Sequence, residues 1–233
     1  MLQLMGTGNP SEQKQLVSLP RRLGAEAVGT AFLLATVVGS GIMAEQLSAG
    51  NTAIAFLANT IATGAALVAL ILTFGSISAA HFNPSVTIAD AIEGGIAWRD
   101  TPYYVLAQVV GALAGTIAAH LMFRFPVLSL SQHARSGSSQ LFSEFVATFG
   151  LLSVIRGCSR SRSNAVAFAV GSYITAAYWF TASTSFANLQ LPSPGHSPIL
   201  SPEFVRPTPP DSWLRNSAAP SPQPSSFVGL CPV

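Results

Sequence analysis

Charge is scarce in this sequence. Of its 233 residues only 9% are charged, where an ordinary soluble domain carries about a quarter. With 11 basic and 9 acidic residues and a formal net charge of +2, there is too little charge to cover a soluble globule of this size. The basic footprint of a nucleic-acid binder is missing as well, so no nucleic-acid partner is expected. Cysteine is nearly absent. Cys158 and Cys231 supply neither a disulfide framework nor the spacing of a zinc site, and no metal or other cofactor is expected. No Ser/His/Asp arrangement forms a catalytic motif, so the chain is not expected to be an enzyme. Proline is sparse up to residue 188 and dense beyond it, with 11 of the 16 in the last 45 residues.

What the chain does have is long apolar runs. A hydrocarbon core of about 30 Å needs about 20 mostly apolar helical residues to cross it. Residues 23–43, broken only by Glu26, and the uncharged stretches 53–74 and 103–123 meet that length. Residues 141–155, which contain Glu144, and residues 165–182 add two more. Five such runs in so uncharged a chain predict an all-α, polytopic membrane protein with the lipid bilayer as its main partner. Closed barrels would need short alternating segments, which are absent. Lys14, Arg21 and Arg22 precede the first run, Arg99 follows the second, and Arg156, Arg160 and Arg162 follow the fourth. Only Arg124 and Arg135 lie in short loops on the other side, so the bias places the N-terminus in the cytoplasm of a plasma (inner) membrane protein.

An internal repeat organises these runs. AEAVGTAFLL at residues 25–34 matches SEFVATFGLL at 143–152, and SAAHFNPS at 78–85 is echoed by TASTSFAN at 181–188. Three spans make up the first unit, so the second enters the bilayer from the opposite side. Inverted repeats of this kind place a transport pathway at the midplane between halves.

Residues 75–94 are too apolar for an exposed loop and too short for a span with its own return. Asn83 followed by Pro84 is a helix-start signal, because Asn caps and Pro at the first helical position sacrifices no hydrogen bond. The pattern predicts a half-helix dipping into the membrane with its N-terminus near the midplane. Irregular backbone at that depth is tolerated only where protein buries it or a watery cavity receives it. The preceding segment, residues 78–82, could present carbonyl oxygens to such a cavity, while the Asn83 amide offers donors. The positive end of the helix dipole repels cations, so a pore lined this way passes small uncharged hydrogen-bonding solutes.

With these residues in place the chain resembles the aquaporin and glycerol-facilitator (major intrinsic protein) family. The resemblance is carried by Glu26 in AEAVGT, by HFNPSVT around Asn83, by AQVVGALAG from Ala107, by Glu144 in SEFVATFG and by STSFAN ending at Asn188. It implies six spans and two half-helices meeting at paired Asn-Pro-Ala motifs, usually in a homotetramer with one pore per subunit. The first motif here is Asn83-Pro84-Ser85, with a small residue kept in third place. The second departs from the pattern, because Asn188 is followed by Leu189 and Gln190. No sixth apolar run follows. The expected layout is therefore a cytoplasmic segment at 1–20, an incomplete channel domain with five spans and one re-entrant half-helix at 21–188, and a Pro/Ser-rich tail at 189–233 of the kind that stays disordered. Inserting one base after the Asn188 codon, with permitted codon choices, restores Asn-Pro-Ala-Val followed by an apolar span, so a one-base deletion is expected in the gene and impaired activity in this product.

The resemblance also implies four positions that narrow the pore. They fall on Thr63, Ala176, Ser185 and Leu191. Water-selective members place an aromatic, a His and an Arg there, and glycerol channels keep two aromatics and the Arg. Small residues at three positions and no Arg at the fourth predict a wider passage for small neutral solutes: water, glycerol and, as in the bacterial branch linked to arsenic resistance, neutral arsenite. Glu26 and Glu144 lie inside spans, where a charge is costly and usually functional. A proton relay is one reading, and the family role of bonding the re-entrant backbone is the favoured one. His81 has no second His or Cys at ligand spacing and is expected to pack or orient the loop. Gly39, Gly41, Gly111 and Gly115 are expected to allow close helix packing. The competing functions are an ion- or proton-coupled secondary transporter, which also uses inverted repeats, and a membrane protein without transport activity.

Overall fold

The computed structural model describes residues 17–125 and 138–181. Asn188, Ser185, Leu191 and the tail 189–233 lie outside the described residues. Within them the chain forms α1 (Leu19–Leu47), α2 (Thr52–Ser78), α3 (Pro84–Ile92), α4 (Thr101–Met122), α5 (Ser138–Ser161), a short 3₁₀ turn (Ser163–Ala165) and α6 (Val166–Phe180). No strand occurs among the described residues.

Each helix start is written locally. Pro20, Pro84 and Pro102 occupy the first turns of α1, α3 and α4, where the missing N–H would be unpaired in any case. Asn51 caps α2, its side-chain oxygen accepting from Ala53 N at 3.1 Å and Ile54 N at 3.2 Å. Asn51→Ala is expected to lower stability by about 1 kcal/mol, read as a fall in the melting temperature of the detergent-solubilised protein. An unchanged melting temperature would show that α2 does not need this cap.

Four helices, α1, α2, α4 and residues 141–161 of α5, are long and apolar enough to cross a membrane. Observed helices run past the apolar runs at several ends. Arg21, Arg22 and Glu45 extend α1, and Arg156 and Arg160 extend α5. A helix can project beyond the hydrocarbon because its backbone bonds are internal, and its charged residues then sit in the wet interface. The outward faces are strongly apolar: Phe32, Leu47, Leu72, Leu106, Phe145 and Phe168 are all exposed. A soluble surface does not carry apolar area on that scale. The protein is a multi-pass membrane protein.

Two layers of contact position the centre of the molecule. α1 packs on α2 and α4, α2 on α6, α5 on α6, and α3 lies against α4 and α5. Leu67, Val86, Leu151, Val170, Ile174 and Tyr178 form a buried cluster joining α2, α3, α5 and α6. Between lipid-facing helices there is little hydrophobic driving force, so close packing of small residues and buried polar bonds carry association. Both are present at the α1 interfaces. Gly111 and Gly115 of α4 rest on the carbonyl groups of Ala27 and Ala31 of α1. Asn59 of α2, almost fully buried, donates through Nδ2 to Val37 O at 2.8 Å and Ser40 Oγ at 2.9 Å on α1. Charged residues gather at one end of the bundle, where Arg22 meets Asp100 at 3.5 Å and Arg156 meets Glu93.

Candidate pore and its re-entrant loop

The segment from Ser78 to Pro84 leaves α2, turns sharply, and starts α3. Three non-glycine residues in it adopt left-handed backbone, Ala79 at φ +74°, Ala80 at φ +51° and Phe82 at φ +48°. Such conformations cost of order 1 kcal/mol or more each and persist only where surroundings hold them. The holding group is the carboxylate of Glu26, which is fully buried in α1. Glu26 Oε1 accepts from Ser78 Oγ at 2.6 Å and His81 N at 3.0 Å, and Oε2 accepts from Phe82 N at 2.8 Å and Gln108 Nε2 at 2.9 Å. Ser78 Oγ is also the acceptor for Ala80 N at 3.1 Å. Tyr104 OH donates to Ser78 O at 3.1 Å and accepts from Arg22 Nε at 2.8 Å. The Phe82 ring fills the space that a side chain on Gly29 would occupy, which wedges the loop against α1.

Asn83 then caps α3. Its backbone is extended and its side-chain oxygen accepts from Ser85 N at 2.7 Å. Pro84 takes the first helical position, and Ser85 is buried behind it. The N-terminus of this nine-residue helix meets a cavity of about 390 Å³ walled by α1, α2, α4, α5, α6 and the loop itself, with His81, Asn83 and Pro84 on its lining. Two cavity residues carry buried polar atoms that have no hydrogen-bond partner among the described residues, Thr30 Oγ1 and Gln108 Oε1. The rest of the wall is largely apolar, including Leu67, Val170 and Ile174. Toward the charged end the lining becomes ionic, with Asp90, Glu93, Arg156 and Arg160. An apolar passage with a few fixed polar groups suits uncharged solutes that carry hydroxyls.

The structure gathers some of the residues singled out in the sequence and separates others. His81, Asn83, Pro84 and Thr63 all line the cavity, and Glu26 stands directly behind the loop. Thr63 is buried, and its Oγ1 accepts from Tyr178 OH at 3.5 Å. Ala176 lies on an exposed face of α6 away from this lining, and Ile174 and Tyr178 provide the α6 wall. Glu144 is half-buried on α5. The loop segment ending at Asn188 lies outside the described residues, as does Ser185. No cluster of three potential metal ligands occurs among the described residues. Gln108, Thr87, Asp90 and Tyr178 belong to the site but were not assigned roles from sequence. Gln108 carried a usable signal, a strongly polar side chain in the middle of an uncharged apolar run.

Comparison with known proteins gives a consistent result. The family model described as Major intrinsic protein matches residues 13–191. Over 174 residues the chain is 55% identical to Aquaglyceroporin AqpS of Rhizobium meliloti, covering 75% of this chain and 74% of that protein. Over 180 residues it is 32% identical to the probable aquaporin NIP7-1 of Arabidopsis thaliana, covering 72% of this chain and 64% of that protein. Over 166 residues it is 35% identical to aquaporin NIP3-1 of Oryza sativa, covering 68% of this chain and 52% of that protein. The chain thus spans between half and two thirds of the length of these plant relatives.

Proposed function

The chain belongs to the major intrinsic protein family, and from that premise we propose that it descends from, and is built as, a passive transmembrane channel for small uncharged solutes: water, glycerol and neutral arsenite. The observation that carries the reading is the re-entrant loop held by Glu26, which aims the N-terminus of α3 and the Asn83 amide into the cavity. Donors at Asn83 and the positive end of the α3 dipole favour neutral oxygen-bearing solutes and oppose cations. The left-handed turns at Ala79, Ala80 and Phe82 put successive peptide groups around the passage, and the Glu26 carboxylate absorbs the N–H groups that face away from it.

A preference for solutes larger than water is supported by the similarity to a protein named an aquaglyceroporin and by the small side chain at Thr63. In this structure Tyr178, not Ala176, faces Thr63, so the proposed narrowing is bounded by two hydroxyls that can bind a polyol. Glu144 is proposed to hold the second loop as Glu26 holds the first, with Asn188 as the second pore asparagine and Ser185 beside it. The membrane is proposed to be the plasma (inner) membrane, with the N-terminus cytoplasmic and the channel a homotetramer. The match to the family model extends to residue 191, and the proline-rich remainder lies outside it; the change of reading frame just after Asn188 is proposed from the sequence, where Asn188 is followed by Leu189 and Gln190. Flux through the 233-residue protein is then expected to be low, and flux through the frame-restored protein high.

Proteoliposome swelling tests both parts. Glycerol and arsenite entry well above that of empty vesicles, unaffected by a proton gradient, is the expected result for the frame-restored protein. Dependence on that gradient would replace the channel with a coupled transporter. Water entry without glycerol entry would remove the proposed solute class. Equal flux from both proteins would remove the frame change as a cause of impairment.

A further inference from the structure

Thr30 lies about one turn beyond Glu26 on α1 and lines the cavity, yet its hydroxyl is idle. The residue is 2% exposed, and its Oγ1 is a buried oxygen with no hydrogen-bond partner among the described residues. A helical threonine has a local remedy, a bond back to the carbonyl oxygen four residues earlier. Thr36, Thr60, Thr73 and Thr175 all take it, donating to Phe32 O at 2.8 Å, Phe56 O at 2.8 Å, Ala69 O at 2.7 Å and Gly171 O at 2.8 Å. Thr63, on the same lining, accepts from Tyr178 OH instead. Thr30 does neither. A buried hydroxyl without a partner is costly, and a valine of nearly the same shape would avoid that cost in a membrane helix. The position of this hydroxyl on the cavity wall points to a partner that comes from the cavity.

The other unmatched oxygen on this wall, Gln108 Oε1, does not serve as that partner, since neither atom bonds the other. Gln108 is tied down by its Nε2, which donates to Glu26 Oε2 and Thr87 Oγ1, both at 2.9 Å. Thr30 is not tied. Its Oγ1 is covered in the conformation observed, and the residue meets the cavity with its other atoms. Rotation about the Thr30 Cα–Cβ bond exchanges the hydroxyl and the methyl group, and helical threonines populate two such rotamers. Thr30 can therefore present a hydroxyl to the passage or withdraw it. A hydroxyl both donates and accepts, so its natural partner is another hydroxyl, carried past a wall that is otherwise largely apolar.

We propose that Thr30 is a specificity-determining contact of the passage, binding a hydroxyl group of a polyol as it crosses the cavity. The proposal rests on the channel reading and names a contact within it. Glycerol brings three hydroxyls past this wall where water brings one oxygen, so loss of a wall contact weighs more on the polyol. Thr30→Val keeps the branched shape and removes the hydroxyl, and Thr30→Ser keeps the hydroxyl. Melting temperature is read on the 233-residue protein in detergent, and glycerol and water entry on the frame-restored protein in vesicles. Thr30→Val is expected to melt at or above the parent, because a methyl group replaces a buried hydroxyl that bonds nothing. In vesicles it lowers the ratio of glycerol entry to water entry by about threefold or more, the scale of one neutral hydrogen bond, and Thr30→Ser retains most of the parent ratio. If Thr30→Val does not accumulate, Thr30→Ala against Thr30→Ser decides by the same two measurements, because these differ only by the hydroxyl. Melting well below the parent would give the hydroxyl a partner inside the protein and overturn the proposal. An unchanged ratio while the parent still passes glycerol would also overturn it and leave the channel reading standing. No glycerol entry through the frame-restored parent would overturn the channel reading and this contact with it.

Discussion

Glu26→Leu is expected to abolish accumulation of the folded protein. The substitution fits the volume and suits a membrane helix, so a reading by hydropathy alone predicts a gain. The hydrogen bonds predict the opposite. Ser78 Oγ, His81 N, Phe82 N and Gln108 Nε2 all donate to this one carboxylate, and Glu26 is fully buried. Each buried donor left without an acceptor costs about 1–3 kcal/mol, so four together exceed about 4 kcal/mol, comparable with the whole stability of a small domain. The left-handed residues Ala79, Ala80 and Phe82 lose their restraint at the same time. Glu26→Gln is the informative partner. It keeps one acceptor oxygen and turns two donors toward an NH₂ group, so a partial loss is expected. The measurement is the melting temperature and the monodisperse fraction in detergent. The expected order is parent, then Glu26→Gln, then Glu26→Leu. Glu26→Leu as stable as the parent would mean that the loop is held by its own packing and not by the carboxylate.

That result would also show where sequence reasoning stops. Membrane helices were legible because lipid demands apolar length, and α3 was legible because Asn83-Pro84 is a local start signal whose meaning does not depend on distant residues. Glu26 was legible as a buried acid in a span, but its four donors come from α2, the re-entrant loop and α4, and no spacing rule links residue 26 to residue 108. Asp90 was illegible for the same reason: His81, whose Nε2 lies 3.3 Å from Asp90 Oδ2, is reached only once the loop has folded back along α3. Ala176 shows a different limit. Spacing along a helix fixes height in the membrane, while rotation is fixed by packing. Positions 174 and 176 lie about 200° apart around the helix axis, and the contacts of α6 with α2 turn Ile174 and Tyr178 inward and leave Ala176 exposed. The motif around Asn188 gave its message in sequence alone, and the described residues end before it.

The second large effect is expected from Gly111. α4 crosses α1 with Gly111 over Ala27 and Gly115 over Ala31, two glycines four residues apart and therefore on one helix face. A Cβ at either position would overlap a backbone carbonyl oxygen of α1. Backbone has no alternative rotamer, so relief requires the helices to separate. Overpacking of this kind costs about 1–3 kcal/mol per site, and Gly111→Val with Gly115→Val is expected to lose about 3 kcal/mol or more. Separation also draws Gln108 of α4 away from Glu26 and Thr87, since Gln108 lies one turn from Gly111 and bonds both. The loss should therefore reach the pore and not only the melting temperature. Gly75 of α2 is the matching control: a Cβ there meets nothing within 4 Å, and Gly75→Ala should be neutral or stabilising by up to about 1 kcal/mol through helix propensity. Melting temperatures of the three proteins in detergent decide the matter. If the double valine variant melts with Gly75→Ala, α1 and α4 are held apart by something other than these glycines, and the close crossing is not what sets Gln108 against Glu26.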